Sequence, residues 1–177
     1  PVHSTPQNWR WMRRAKEQGT EIITIDPVRS ATAHKSDRYI PIKPTTDGYL
    51  ALAMANYILE NGLQDDAFIA TRSTAPMLVR RDNGKLLHKS DYVAVAEGED
   101  DPAYVWDNAK GAIALYGEAA DPAMEGTFEV DGVTVDTSYT LLKNQLANYT
   151  ISEATRITGV PEESILELVD VFTNGDA

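Results

Sequence analysis

The chain has 177 residues, 42% of them apolar and 24% charged, enough for one domain with a sizeable core or for one domain carrying a large insertion. Sixteen basic against twenty-seven acidic side chains give a net charge of −11, which argues against a duplex nucleic-acid binder, because phosphate contacts need a basic surface. Without cysteine the chain holds no disulfide, thiolate zinc site or thiolate-held cluster, and no run approaches the roughly 18 apolar residues of a membrane span. No signal-peptide pattern opens it. The charge is uneven: residues 1–50 hold eight basic and five acidic side chains, the remainder eight and twenty-two. Such asymmetry predicts that the two parts do different jobs.

The start, Pro1-Val-His-Ser-Thr-Pro6, has no Met and reads as a loop rather than a natural beginning. Thr5-Pro6 is an N-cap and first-turn pair for a helix that carries Trp9, Met12 and Arg13 and stops at Gly19. Glu21–Ile25 predicts a buried parallel strand ended by Asp26-Pro27, and Tyr39–Ile42 a second strand that Pro41 assigns to an edge or an irregular ladder. Asp47 opens the clearest helix, with Leu50, Ala53, Met54, Tyr57 and Ile58 on one apolar face and Gly62 as its stop. Helix, strand, loop, strand, helix is the signature of an α/β sheet with crossover connections.

Residues 73–127 mix short strand-like pieces with loop, Met77–Arg80 being one candidate strand and Asn83-Gly84 a turn. Glu97–Asp101 is an acidic run; a calcium loop is the alternative, but the EF-hand spacing is lacking, and a solvated surface loop is the favoured reading. Phe128–Val135 predicts a hairpin turning at Asp131-Gly132. Thr150-Ile-Ser-Glu153 is a capping box, Gly159 breaks that helix, and Pro161 starts another with Ile165, Leu168, Val169 and Phe172 on its apolar face.

An acid at the carboxyl end of an apolar strand is a recurring nucleotide-site arrangement, because ligands of open α/β sheets bind outside those ends and a carboxylate there accepts from both ribose hydroxyls. Asp26 occupies that place; organising the Asp26-Pro27 turn is the plainer alternative. Asp47 can cap its helix or present a carboxylate to a base with paired N–H groups, such as guanine, and capping is favoured from the residues alone. Arg29, Lys35 and Lys43 sit in the same loops, available to phosphate or simply solvated. GxGxxG is absent, and His3, His34 and His88 show no metal-ligand spacing. Ser4 has no identifiable His and Asp partners that would make it a nucleophile.

The segment from Gly19 through Ile22-Ile-Thr-Ile25, Asp26-Pro27, Arg29-Ser30 and Thr32-Ala33 resembles the molybdopterin oxidoreductases of the dimethyl sulfoxide reductase family, which show a glycine, an apolar strand, Asp-Pro, basic residues and Thr/Ser-x-Thr-Ala. Ser36 to Leu52 is similar to that family's A-D-x-x-(L/I)-P-(L/I)-x-P-G-T-D-x-A-L, and Tyr57-Ile58 through Phe68-Ile69 to its I-I-x-E-x-L-x-D-x-x-F-(V/I). Tyr149-Thr150, Glu153 and Ile157-Thr-Gly-Val-Pro161 resemble its Y-T-x-E-x-x-x-x-I-T-G-V-P, and the opening Pro1-Val-His-Ser4 its G-x-N-P-x-x-S/T. The likeness is strong over 1–72 and good over 140–177, with the middle resembling a longer insertion of some members.

The resemblance implies a Rossmann-like open, mostly parallel α/β sheet with flanking helices, plus an insertion containing a β-hairpin. It divides the chain into a dinucleotide-binding core (1–72), an acidic insertion (73–136) and C-terminal helices packing back on the core (137–177). It implies a domain of a larger enzyme that holds the guanosine end of a molybdopterin guanine dinucleotide and is inactive alone. Asp26 then matches the ribose acid, with Pro27 completing its Asp-Pro turn, and Asp47 the guanine-contacting acid. Ser4 matches the hydroxyl near the diphosphate, and Arg29 and Ser30 the loop after Asp-Pro. Thr45 departs from the family's usual Gly, and a side chain there alters how closely the backbone approaches the cofactor. The parent would carry out two-electron redox chemistry or oxygen-atom transfer at molybdenum or tungsten, with its iron–sulfur cluster and metal ligand elsewhere. Its partners would be the remaining domains of the same catalytic polypeptide and an iron–sulfur electron-transfer subunit, without nucleic acid or direct membrane insertion. It would be cytoplasmic, or exported to the periplasm or cell surface by a twin-arginine signal. A self-contained α/β nucleotide-binding protein and an acidic protein-interaction module are the alternatives.

Overall fold

In the computed structural model, which describes residues 2 and 5–174, the apolar periodicities of the sequence become short helices and strands. In chain order these are α1 (Pro6–Glu17), β1 (Ile23–Asp26), β2 (Arg38–Pro41), α2 (Asp47–Glu60), α3 (Asp66–Arg72), β3 (Leu78–Arg80), a 3₁₀ turn (Lys89–Asp91), β4 (Tyr104–Asp107), β5 (Ala112–Leu115), β6 (Thr127–Val130), β7 (Val133–Thr137), α4 (Ser138–Leu146), α5 (Ile151–Thr158) and α6 (Glu162–Asn174). They form two compact units, Pro1–Leu63 with Tyr149–Ala177, and Gln64–Asn148.

The first unit is built on β1 and β2, which pair in parallel with Ile23 opposite Arg38 and Asp26 opposite Pro41. Its core joins Ile40 and Ile42 to Leu50 and Ala53 of α2, Ala154 of α5, and Ile165 and Leu168 of α6. The class is therefore mixed α/β with flanking helices, but the parallel sheet is two-stranded, and every other strand pairing in the described residues is antiparallel. The expected burial of the first strand is also only partial: Ile22 is enclosed, whereas Ile25 is 38% exposed, since β1 has a single neighbour. α1 starts at Pro6 with Asn8 N–H donating to the Thr5 carbonyl, yet the Thr5 side chain makes no capping bond and no residue of the helix is fully buried. Of the capping box only half forms. Thr150 Oγ1 accepts from Glu153 N–H at 3.3 Å, but the Glu153 carboxylate turns to the Arg156 guanidinium instead of reaching back. Gly159 ends α5 in the left-handed conformation, φ 76°.

Asp37 ties α1 to the start of β1. Its carboxylate accepts from the Lys16 ammonium at 2.7 Å and from Ile22 N–H at 3.0 Å, and these two donors hold its carboxyl below the usual value of 3.8. A carboxyl whose pKa is depressed by folding adds stability at all pH above its unfolded value and loses it as pH falls through the folded one. Acid titration of the first unit should therefore show a stability loss setting in near pH 4 and continuing below it. Asp37→Asn should flatten that limb in pH-dependent urea unfolding.

The second unit is antiparallel, with β3, β7 and β6 in one sheet and β4 and β5 in another. The hairpin of β6 and β7 turns at Asp131 (φ 50°) and Gly132 (φ 78°), the two positive dihedrals that an Asp-Gly turn supplies. Leu78, Leu87, Val130 and Val135 form its core, and Trp106 stacks on Phe128 with centroids 4.4 Å apart. Two enclosed carboxylates organise the loops. Asp136 receives the Arg81 fork at 2.5 and 2.8 Å and Thr127 Oγ1 at 2.5 Å. Asp107 accepts backbone N–H groups of Ala109, Ala120 and Asp121 at 3.0, 3.1 and 3.2 Å. Burial pushes the Asp107 carboxyl up, but these N–H groups and the nearby Lys110 outweigh it, leaving the pKa below the usual value. Glu97–Asp101 is exposed, as expected of a solvated loop; Asp101 in it accepts from the Ser90 N–H and hydroxyl, and its carbonyl contacts His88 Nδ1 at 2.8 Å.

Candidate functional site

Because β1 and β2 run in parallel, the loops that leave them, from Pro27 and from Ile42, emerge at the same edge of the pair. This is where an open α/β sheet binds ligands. Asp26 ends β1. Its Oδ1 accepts Val28 N–H at 3.0 Å, closing the Asp-Pro turn, while no protein donor among the described residues reaches Oδ2. Both sequence alternatives for Asp26 are therefore compatible: one oxygen organises the turn and the other is available.

Tyr39, which the sequence marked only as part of a strand, fixes this turn. Its hydroxyl donates to the Asp26 carbonyl at 3.0 Å, and the Arg29 guanidinium lies 5.8 Å from its ring centroid. The signal was an aromatic residue paired with Thr24 in the parallel ladder, close to the strand end. Ser30 continues the turn. Its N–H donates to the Val28 carbonyl at 2.7 Å and its Oγ accepts Ala33 N–H at 3.4 Å, so its hydroxyl has a structural partner already. Pro27 and Arg29 are exposed.

Arg29 and Lys35 are both exposed with no ion-pair partner among the described residues, and both stay open to an anion. Lys35 sits over the Trp9 ring, 5.3 Å from its centroid. Lys43 donates to the Arg156 carbonyl at 3.1 Å near the carboxyl end of α5, a favourable place for a cation. Ser4 and His3 lie outside the described residues.

Asp47 is the first residue of α2, not its cap; Thr46 holds the capping position and its hydroxyl donates to the Lys43 carbonyl at 2.7 Å. The Asp47 side chain is exposed, and no hydrogen bond or ion pair engages its carboxylate among the described residues. The capping role favoured from sequence is thus not the one it plays. Thr45, next to it, is left-handed at φ 67°. That dihedral explains a glycine preference here, since a β-branched residue is costly in the left-handed region. Thr45→Gly should raise the urea midpoint by an amount equivalent to about 0.5–1 kcal/mol, strain relief exceeding the added chain entropy. A lowered midpoint would show that Thr45 is unstrained.

The sequence profile of the molybdopterin oxidoreductases matches residues 1–155, which includes both loops and the second unit. The chain belongs to the molybdopterin oxidoreductase family. Among curated relatives it is 33% identical to the alpha subunit of the dimethylsulfide dehydrogenase of Rhodovulum sulfidophilum, over 90% of this chain and 19% of that one. It is equally 33% identical to one subunit of the sulfite dehydrogenase of Allochromatium vinosum, over 94% of this chain and 18% of that one. The fold is similar to part of the acetylene hydratase from Pelobacter acetylenicus, with a TM-score of 0.54, 17% identity, and coverage of 97% of this chain and 15% of that one. The chain, a member of the dimethyl sulfoxide reductase family of these enzymes, spans about a fifth of the length of the curated relatives it matches over most of its own. It is a cofactor-binding piece of such an oxidoreductase, and its family membership implies a molybdopterin. No helix among the described residues is long and apolar enough to cross a membrane, and they hold no metal-ligand cluster.

Proposed function

We propose that the first unit holds the guanosine end of a molybdopterin guanine dinucleotide, as the terminal part of a Rossmann-like sheet. One observation carries this reading: in a chain matching the family profile, parallel strands bring the Asp26 turn and the Asp47 loop to the same edge. The donor and acceptor chemistry fits. A guanine base offers adjacent N–H groups that a free carboxylate such as Asp47 accepts side by side, and ribose hydroxyls donate to the free oxygen of Asp26. Arg29, steadied by Tyr39, supplies positive charge toward a diphosphate. Ser30 and Pro27 shape that turn; Ser4 joins the diphosphate contacts by resemblance alone.

The bound group would supply two-electron redox or oxygen-atom transfer chemistry at molybdenum or tungsten, and this unit's own contribution is binding and orientation. The parent enzyme's other domains would hold the metal ligand and an iron–sulfur cluster. Both relatives are single subunits of larger dehydrogenases, which supports a partner subunit for electron transfer. Residence in the cytoplasm, or export by a twin-arginine signal, belongs to the full-length protein. Mild acid hydrolysis of the cofactor from the purified full-length protein should release GMP. Release of CMP or AMP, or of no nucleotide, would refute the guanine assignment.

A further inference from the structure

The first unit turns one basic helix face outward. On α1, Arg10, Trp11, Arg13 and Arg14 are exposed, whereas Trp9, Met12, Ala15 and Lys16 are partly covered. At about 100° per residue the two sets occupy opposite sides of the helix. The covered side has partners: Lys16 pairs with Asp37 at 2.7 Å, and Lys35 lies over the Trp9 ring. On the outer side Arg13 is 3.5 Å from Glu17, both side chains being 63% exposed, and Arg10 and Arg14 meet no carboxylate among the described residues. Trp11 is 64% exposed, with the Arg14 guanidinium 5.1 Å from its ring centroid. A tryptophan so placed leaves most of a large apolar ring in water.

We infer that the outer face of α1 is a docking surface for an acidic patch on a second subunit of the parent enzyme. Charge selects an anionic partner, because Arg10, Arg13 and Arg14 face outward against the single carboxylate of Glu17, on a chain whose net charge is −11. The same −11 selects among anionic partners. An extended surface, a bilayer or a nucleic acid, would be repelled by the rest of the chain. A protein patch the size of this face meets the arginines alone, since exposed charges more than about 8 Å away are screened at physiological salt. Two copies joined symmetrically through α1 would set arginine against arginine. The residue types point the same way. Tryptophan and arginine are the side chains that most often carry binding energy between proteins, and a guanidinium fork meets a carboxylate with two parallel hydrogen bonds. The contact of Arg14 with Trp11 puts an apolar anchor and a carboxylate-reading fork in one place. The inference rests on the partner subunit proposed above and not on the guanosine reading.

The test uses the full-length enzyme purified together with its second subunit. With the photo-crosslinker p-benzoylphenylalanine in place of Trp11, mass spectrometry after irradiation should find the principal cross-link on that subunit, in a peptide rich in Asp or Glu. Trp11→Ala, and Arg10→Glu combined with Arg14→Glu, should each weaken the association by about 10- to 100-fold. Salt should weaken the native association and have little effect on that of the doubly reversed variant. Because these side chains are exposed, thermal unfolding of the catalytic chain and its nucleotide content should be the same in both variants. A cross-link within the same chain or to a second copy would overturn the inference, as would unchanged association in both variants, or binding of the native enzyme to phosphatidylglycerol vesicles that both variants abolish. A purified enzyme without any second subunit would overturn it together with the partner reading and leave the guanosine reading standing.

Discussion

Asp47→Asn in the full-length protein should weaken retention of the cofactor by about 10- to 100-fold, the equivalent of losing a charge-assisted pair of hydrogen bonds. An amide keeps one acceptor but turns its NH₂ toward a base that is itself donating. Stability should fall by only about 0.3–1 kcal/mol, the value of a negative charge in the first turn of a helix, because the carboxylate caps nothing. Nucleotide content after gel filtration at a series of protein concentrations would measure the first effect, and thermal unfolding the second. Unchanged retention would remove Asp47 from the site. A large fall in stability with retained cofactor would restore the capping role that the sequence by itself favours.

Asp107→Ala should destabilise the second unit by about 1–3 kcal/mol, since it removes the acceptor that the N–H groups of Ala109, Ala120 and Asp121 share in a site where the carboxylate itself is buried. Asp107→Asn should cost less. Its carbonyl oxygen can still serve Ala109 and Asp121, both of which bond the same oxygen now, while its NH₂ would oppose Ala120 N–H. Hydrogen exchange over Tyr104–Ala123 reads the ranking Ala worse than Asn worse than Asp. Equal effects of the two substitutions would mean that the negative charge, not the number of acceptors, holds the loop.

What the sequence made legible were features written in neighbouring residues. The face of α2, the Asp131-Gly132 turn and the Gly159 stop each rest on spacing within one element, and each is present in the structure. What escaped depends on residues far apart. The β4–β5 hairpin is fastened by Asp107 reaching thirteen residues on to Ala120, and no periodicity announces that. α3 is capped by Asp65, whose carboxylate accepts Phe68 N–H at 2.9 Å, but its seven residues are too few for a helical pattern to stand out. Phe172 follows the apolar period of α6 and is nevertheless exposed, because the period reports which face is apolar and not whether anything covers it.

The candidate site divides in the same way. Asp26 was visible as a strand-end acid, while the choice of Asp47 over a mere cap came from resemblance. The role of Tyr39 and the engagement of Lys43 by the Arg156 carbonyl needed the tertiary contacts. The uneven charge now has a physical counterpart. The basic excess of the first fifty residues lies in the unit that carries the proposed dinucleotide site, and the acidic excess runs through the second unit and the exposed face of α6.

The central claim, that the first unit holds the guanosine end of the cofactor, is tested most directly by ultraviolet cross-linking of the native full-length protein with its own cofactor bound. Peptide mapping should place the guanine adduct within residues 24–30 or 43–50, around Asp26 and Asp47. An adduct confined to peptides outside the first unit would contradict the account.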